Sequence, residues 1–131
     1  LQAEPGIAAT HFNLGFALDK LGRHEDAVVA LREATRLRPG LDRAWYGLGM
    51  AQAALGRHAE AAAALHEAAT LQPMNPHAWY ALGMAHHVLG DAARVKEVAV
   101  HLVRFDPRMA RRLIRESGAS ELEYLVKELV V

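Results

Sequence analysis

The 131-residue sequence has no cysteine, only two serines, an aromatic content of 6% and no surplus of either charge, fifteen Lys and Arg balancing fifteen Asp and Glu. Each shortage closes a class of function. Without thiols there is neither a disulfide framework nor a thiolate metal site, although this does not fix the compartment. With no net charge, no long-range field draws the chain to nucleic acid or to an anionic membrane, so neither is an expected partner. No apolar run approaches the roughly 20 residues that a spanning helix needs. The serines, Ser117 and Ser120, flank a turn-like Gly118, no glycine-rich phosphate cradle is present, and the adjacent Glu25 and Asp26 read as a solvated pair. Nothing pairs a nucleophile with a base, so no catalytic residue is assigned and the chain is read as not an enzyme. Because Leu1 is not an initiator methionine, the chain is expected to be a processed or excised piece.

Histidine is plentiful by contrast, with eight copies, and imidazoles four residues apart on a helix would share a metal ion. No two have that spacing. His86 and His87 are adjacent and so diverge by about 100° around a helix. His24-Glu25 and His66-Glu67 lack the second histidine of a zinc-hydrolase motif. The expectation is no metal site and no cofactor.

What the sequence does have is repetition. Leu14-Gly15, Leu48-Gly49 and Leu82-Gly83 recur every 34 residues, as do Leu21-Gly22, Leu55-Gly56 and Leu89-Gly90, and then Pro39, Pro73 and Pro107. A period of this size marks a stacked-repeat solenoid, in which one unit cannot bury its apolar face alone. The composition, 52% apolar and 23% charged, suits one domain with a continuous core. Counting from Ala8, Asp42 and Pro76, apolar or small residues recur at positions 4, 7, 8, 11, 14, 20, 24, 27 and 30, which is helical spacing in two runs. Each unit therefore reads as a helix pair, with first helices at 8–21, 42–55 and 76–89 and second helices at 24–37, 58–71 and 92–105. Gly22, Gly56 and Gly90 supply left-handed caps, and the prolines end the second helices. Asn75-Pro76 and Asp106-Pro107 read as N-caps followed by proline at the first helical position. The units are 8–41, 42–75 and 76–109, preceded by a flexible lead-in, 1–7, that Pro5-Gly6 breaks, and followed by tail helices within 107–131.

Close approach of the paired helices is expected at Gly15, Gly49 and Gly83 and at Ala27 and Ala61, with Trp45, Trp79, Leu31 and Leu65 as bulky core members. The run Trp45, Leu48, Gly49, Ala61, Leu65, Ala68, Pro73, echoed by Trp79, Leu82, Gly83 and Pro107, resembles the tetratricopeptide repeat family. The resemblance spans residues 8–109. It implies an all-α, right-handed superhelix of three helix-turn-helix repeats with C-terminal capping helices, acting as a non-catalytic scaffold.

Departures from the pattern carry information. His11 replaces the position-4 aromatic in the first repeat, and position 11, usually Tyr, holds Leu18, Gln52 and His86. In the third repeat the second helix exchanges small and large residues: Ala27, Leu31, Ala34 and Ala61, Leu65, Ala68 become Val95, Ala99, Leu102. Something else must pack there, and the tail is the candidate. It reads as a helix over 107–116 stopped at Ser117-Gly118, then a helix from Ser120 with Glu123 completing a capping box. That last helix would carry a stripe of Leu122, Leu125, Val126, Leu129 and Val130. It either seals the final repeat, as solenoid ends require, or docks a second chain or a further domain.

The resemblance also implies that the first helices line a concave groove. Its position 5 holds Phe12, Tyr46 and Tyr80, its position 9 Phe16, Met50 and Met84, and a solvated face would be polar at such sites. Arg43, Arg57 and His87 form the expected polar rim, with Lys20, Arg23 and His77 close by. The expected partner is a protein or peptide segment with apolar anchors and an acidic flank. The family's clamp for a C-terminal carboxylate needs Lys and Asn at positions that here hold Phe12, Phe16, Gly47, His77 and Ala81, so recognition of that type is not implied. The competing readings are a self-association module, joining identical chains through the groove or the C-terminal helix, and an accessory domain of a larger enzyme.

Overall fold

In the computed structural model, which describes residues 5–127, seven α-helices follow one another: α1 (Pro5–Lys20), α2 (His24–Leu37), α3 (Asp42–Ala54), α4 (His58–Leu71), α5 (Pro76–Val88), α6 (Ala92–Phe105) and α7 (Pro107–Ser117). The second helices α2, α4 and α6 occupy the segments that the spacing predicts. The first helix does not. It begins at Pro5, inside the expected lead-in, because proline's missing N–H is an orphan in the first turn of any helix and its fixed φ suits that place.

The tight turns between paired helices follow from glycine. Gly22, Gly56 and Gly90 adopt φ of 79°, 79° and 74°, a region open to a residue without Cβ. The next residue's N–H then returns to the preceding helix: Arg23 to the Leu18 carbonyl, Arg57 to Gln52 and Asp91 to His86, each at 2.9 Å. Orphan carbonyls are satisfied and the chain reverses. Between units the links are indole bonds. Trp45 Nε1 donates to the Pro39 carbonyl and Trp79 Nε1 to that of Pro73, both at 2.8 Å. Both tryptophans are consequently half-buried rather than enclosed, one edge on the core and the other on a loop carbonyl.

Close packing within a unit depends on missing side-chain atoms. A Cβ added to Gly15 would lie 2.5 Å from Leu31 Cγ, and one on Gly49 would lie 2.6 Å from Leu65 Cγ. Leu31 and Leu65 fill those hollows and are among the most deeply buried side chains. In the third unit the hollow over Gly83 is filled from outside. Ala99 leaves it empty, and Leu113 of α7 enters, its methyls 2.7 and 2.8 Å from where a Gly83 Cβ would sit, with Val98 at 3.2 Å. The small-for-large exchange in α6 thus makes room for α7.

After Gly118 the chain does not form the α-helix expected from Ser120. It makes a 3-10 helix, Ser120–Leu125, with Ala119 at the cap position and no side-chain cap, so the Ser120–Glu123 box is not made. In a 3-10 helix residues three apart share a face, and this brings Leu122 and Leu125 together against the core of the last unit, with Val126 buried at the C-cap. Leu129 and Val130 of the predicted stripe lie outside the described residues.

Replacing Leu113 with Ala should cost about 2–4 kcal/mol through lost transfer and a cavity. Adding Ala99→Leu to that variant restores the arrangement of the first two units and should recover most of the loss. Urea denaturation of the two single variants and the double variant checks this cycle.

Candidate functional site

Stacking the hairpins places the first helices side by side, so α3 and α5 form the walls of a cleft of about 320 Å³. Tyr46, Met50 and Ala53 come from α3, and His77, Tyr80, Ala81 and Ala85 from α5. Leu65 and His58 of α4 and Arg112 of α7 complete the lining. The cleft is apolar, with nitrogen bases at its margin.

Of the six apolar residues expected in the groove, Tyr46, Met50 and Tyr80 line this cleft. Met50 is 40% exposed. Phe12 and Phe16 form an adjoining step on α1, their ring centroids 6.2 Å apart. Phe12 is partly buried and has the Arg43 guanidinium 5.1 Å above it, whereas Phe16 is 53% exposed beneath the Lys20 ammonium, also at 5.1 Å. Met84 packs on the core of the last unit. The rim differs more. Arg43 is engaged with Phe12, Arg57 reaches Glu25 of the first unit at 2.6 Å, and His87 borders a separate depression with Asp91, Ser117 and Glu121. His58, His77 and Arg112 hold the cleft margin instead.

Arg112 is there because α7 keeps the register of a first helix. Ala110 and Ile114 are buried just as Ala78 and Leu82 are, but Ala110 follows Ala78 by 32 residues rather than 34. This shifted register puts Arg112 at the place of Tyr80 and Glu116 at that of Met84. The periodicity of 34 hides the correspondence; burial reveals it.

These two side chains engage the cleft's tyrosine. The Arg112 guanidinium lies 4.5 Å above the Tyr80 ring, the Tyr80 hydroxyl donates to Glu116, and Arg112 Nε donates to Glu116 at 3.3 Å. Burial and the bond to Glu116 push the Tyr80 hydroxyl's pKa up. The Tyr80 hydroxyl, and then Arg112, hold the Glu116 carboxyl below the usual carboxylate range. The triad keeps a neutral phenol, an anion and a cation in one place, with Arg112 facing the cleft.

Behind the walls, position 11 holds polar residues where the core closes. Gln52 is 3% exposed; its Nε2 donates to Glu60 at 3.5 Å while its Oε1 has no partner among the described residues. His86, one repeat later, has a buried Nδ1 that is likewise unpartnered there. Burial is the main reason that its pKa is lowered, since a low-dielectric surrounding disfavours the cation. Among the described residues no group of His, Asp and Glu is arranged to hold a metal ion, and no helix is long and apolar enough to cross a membrane.

Paired helices stacked over a glycine-leucine core, with their first helices walling a cleft, define a helical-hairpin solenoid. The tetratricopeptide repeat profile matches residues 12–71 and 53–94, and the chain belongs to that family. Comparison with curated proteins gives no match. Among solved structures, the first tetratricopeptide domain of Spaghetti (RPAP3) bound to HSP90 peptide SRMEEVD superposes with a TM-score of 0.81 at 16% identity, covering 92% of this chain and 97% of that one. The Yersinia enterocolitica type III secretion chaperone SycD, in complex with a peptide of the translocator YopD, gives 0.70 at 16% identity over 95% and 93%. PcrH in complex with the chaperone binding region of PopB gives 0.74 at 20% identity over 91% and 98%. These likenesses establish the shared fold.

The sign of the His86 effect follows from the lowered pKa. Between the ordinary value of 6.5 and the lower folded value, the unfolded chain binds more protons, so stability is complete above the unfolded pKa and falls with pH through this window. His86→Gln should flatten the decline in thermal midpoint between neutral and mildly acidic pH relative to wild type. Equal declines in both proteins would show that His86 is not a source of it.

Proposed function

We propose that this chain is a non-catalytic peptide-binding module that holds a short apolar segment in the cleft between α3 and α5. The observation that carries this reading is Met50, 40% exposed beside the two tyrosines in an apolar cleft, where a purely structural helix would present polar groups. Burying each such anchor on a ligand is worth about 1.5–3 kcal/mol before ordering costs, so three anchors support a specific, modest complex. Methionine adapts to ligands of different shape. The solved relatives in complex with a peptide of YopD and with the chaperone binding region of PopB support a peptide as the ligand class.

The polar margin favours a ligand with an acidic flank. Arg112 is a fixed cation at one edge of the cleft, and His58 and His77 offer N–H donors at the others. Such groups set orientation and encounter rate more than affinity. The ligand differs from SRMEEVD, the peptide seen on Spaghetti, in relying on apolar anchors: the positions of a carboxylate clamp here hold Phe12, Phe16, Gly47, His77 and Ala81.

Fluorescence anisotropy with a panel of apolar peptides, with and without acidic flanks, tests the reading. Tyr46→Ala with Met50→Ala should weaken binding at least tenfold, the loss of about 1.4 kcal/mol or more, at unchanged helicity. Since Tyr46 also packs on the core, Met50→Asp is the cleaner variant and should weaken binding comparably. Arg112→Ala should lower affinity only for acid-flanked peptides. Equal binding by wild type and Met50→Asp would reject the cleft as the site.

A further inference from the structure

Positive charge is distributed unevenly over this surface. Of the seven arginines before residue 100, five reach a carboxylate at 2.5 to 3.6 Å, and Arg43 lies over the Phe12 ring. Residues 104–115 hold five more, Arg104, Arg108, Arg111, Arg112 and Arg115, with Asp106 as the sole acid. Asp106 is engaged in capping α7, its carboxylate accepting from the Met109 N–H at 3.1 Å. Among the described residues Arg104, Arg108 and Arg115 have no carboxylate within ion-pair distance, and all three are exposed.

The spacing 108, 111, 112, 115 gathers four of these arginines on one side of α7, opposite the buried Ala110, Leu113 and Ile114. They form a band about 100° wide around the helix. Arg112 stands at the cleft margin and Arg108 and Arg115 in the middle, while Arg111 meets the end of the 3-10 helix, donating to the Val126 carbonyl at 3.5 Å. On that side the band runs into a depression of about 260 Å³, where Lys127 joins Arg111 and Arg115 over Ile114 and Val126, together with Glu123.

Such a band works against the helix that carries it. Arg108 and Arg112, and likewise Arg111 and Arg115, are like charges four residues apart, and Arg108 stands in the first turn, where the helix dipole disfavours a cation. An outer face that served solubility alone would mix the two signs, as α2 does with Glu33 beside Arg36. We infer that the band is a docking surface for an acidic stretch of polypeptide, whose Asp and Glu carboxylates bind across α7 from Arg112 to Arg115 and Lys127.

Three features select this occupant over a phosphate-bearing one. Glu116 beside Arg112 and Glu123 beside Arg115 flank the band; discrete carboxylates fit between them as bidentate arginine partners, whereas a continuous chain of phosphates would be repelled at both margins. The sequence has no net charge to draw a nucleic acid in, and a membrane could take up no apolar face, because that of α7 is buried in the core. The cleft also opens onto Arg112, so a peptide leaving it meets the band next. That continuity rests on the proposed function; the surplus of charge does not.

Titration of the isotope-labelled chain with an alternating Glu-Gly peptide, followed by NMR of the arginine Nε–H signals at low salt, tests the inference. Shifts should centre on α7, and binding should weaken as salt is raised. Arg108→Gln with Arg115→Gln should weaken it roughly three- to tenfold, with the thermal midpoint equal or raised because like-charge contacts are removed. Arg108→Glu alone, which the first turn of a helix favours, should weaken it comparably. Met50→Ser removes an anchor from the cleft without adding charge and should leave this titration unchanged, so the band stands or falls apart from the cleft. No binding by wild type, or binding that both arginine variants leave intact, would overturn the docking surface. Tighter binding of oligothymidylate or of phosphatidylserine vesicles, lost in the same variants, would overturn the choice of a polypeptide.

Discussion

Leucine lying directly on glycine is the contact from which the rest of this molecule follows. At Gly15 and Gly49 there is no space for even one methyl group, and this absence lets the two helices of a hairpin approach closely while Leu31 and Leu65 fill the seam. With one face of α3 and of α5 used against its partner helix and a second against the preceding hairpin, the residues about 160–200° from the stacking stripe are left to form the groove wall. The places of Tyr46, Met50 and Tyr80 are therefore a geometric consequence of where the glycines and leucines sit. Their chemistry is not a consequence, since packing would be equally satisfied by polar groups at Met50.

The third unit obeys the same contact with a different donor. Leu113 replaces the leucine that α6 lacks, so the core of the last repeat is complete only when α7 is docked. Because Arg112 is the neighbour of Leu113 in the chain, and adjacent helical residues diverge by about 100°, docking the apolar side of α7 also fixes a cation at the cleft. Glu116, one turn further on, then holds both Arg112 and Tyr80. Closing the solenoid and setting the polarity of its cleft are thus one structural event.

Much of this architecture is legible in the sequence because punctuation and periodicity agree. The glycine caps, the prolines and the recurrence of Leu-Gly pairs locate six helices, and the three that follow the caps have the predicted bounds. The exchange of small and large residues in α6 shows that something beyond the repeat must fill its hollow. The start of α1 was less visible, since Pro5-Gly6 has the composition of a breaker although proline suits a first turn. The tail is misleading for another reason: Ser120 and Glu123 have capping-box spacing, yet Leu122 and Leu125, three residues apart, meet the core on one face of a tighter 3-10 turn. Within the cleft, the period identifies the apolar wall but not its margin. Arg57 is drawn to Glu25 and Arg43 to Phe12, choices made by inter-repeat distances, while Arg112 comes from a helix whose register is offset from the period.

The first and last of the described helices present opposite physical situations. At the far end an arginine-rich helix and a 3-10 turn close the core; at the near end α1 is packed on α2 and carries apolar residues on two other sides, Phe12 and Phe16 towards the groove and Leu14 towards the outside. A helix held mainly by one partner is an element that opens easily. A guest lying against Phe12 and Phe16 would bind only folded α1 and so would stabilise that helix, by an amount set by its concentration over its dissociation constant. The gain cannot exceed the free energy of opening α1, because a helix already closed has no further order to acquire, so the phenylalanine step would tie occupancy of the groove to the order of the first hairpin.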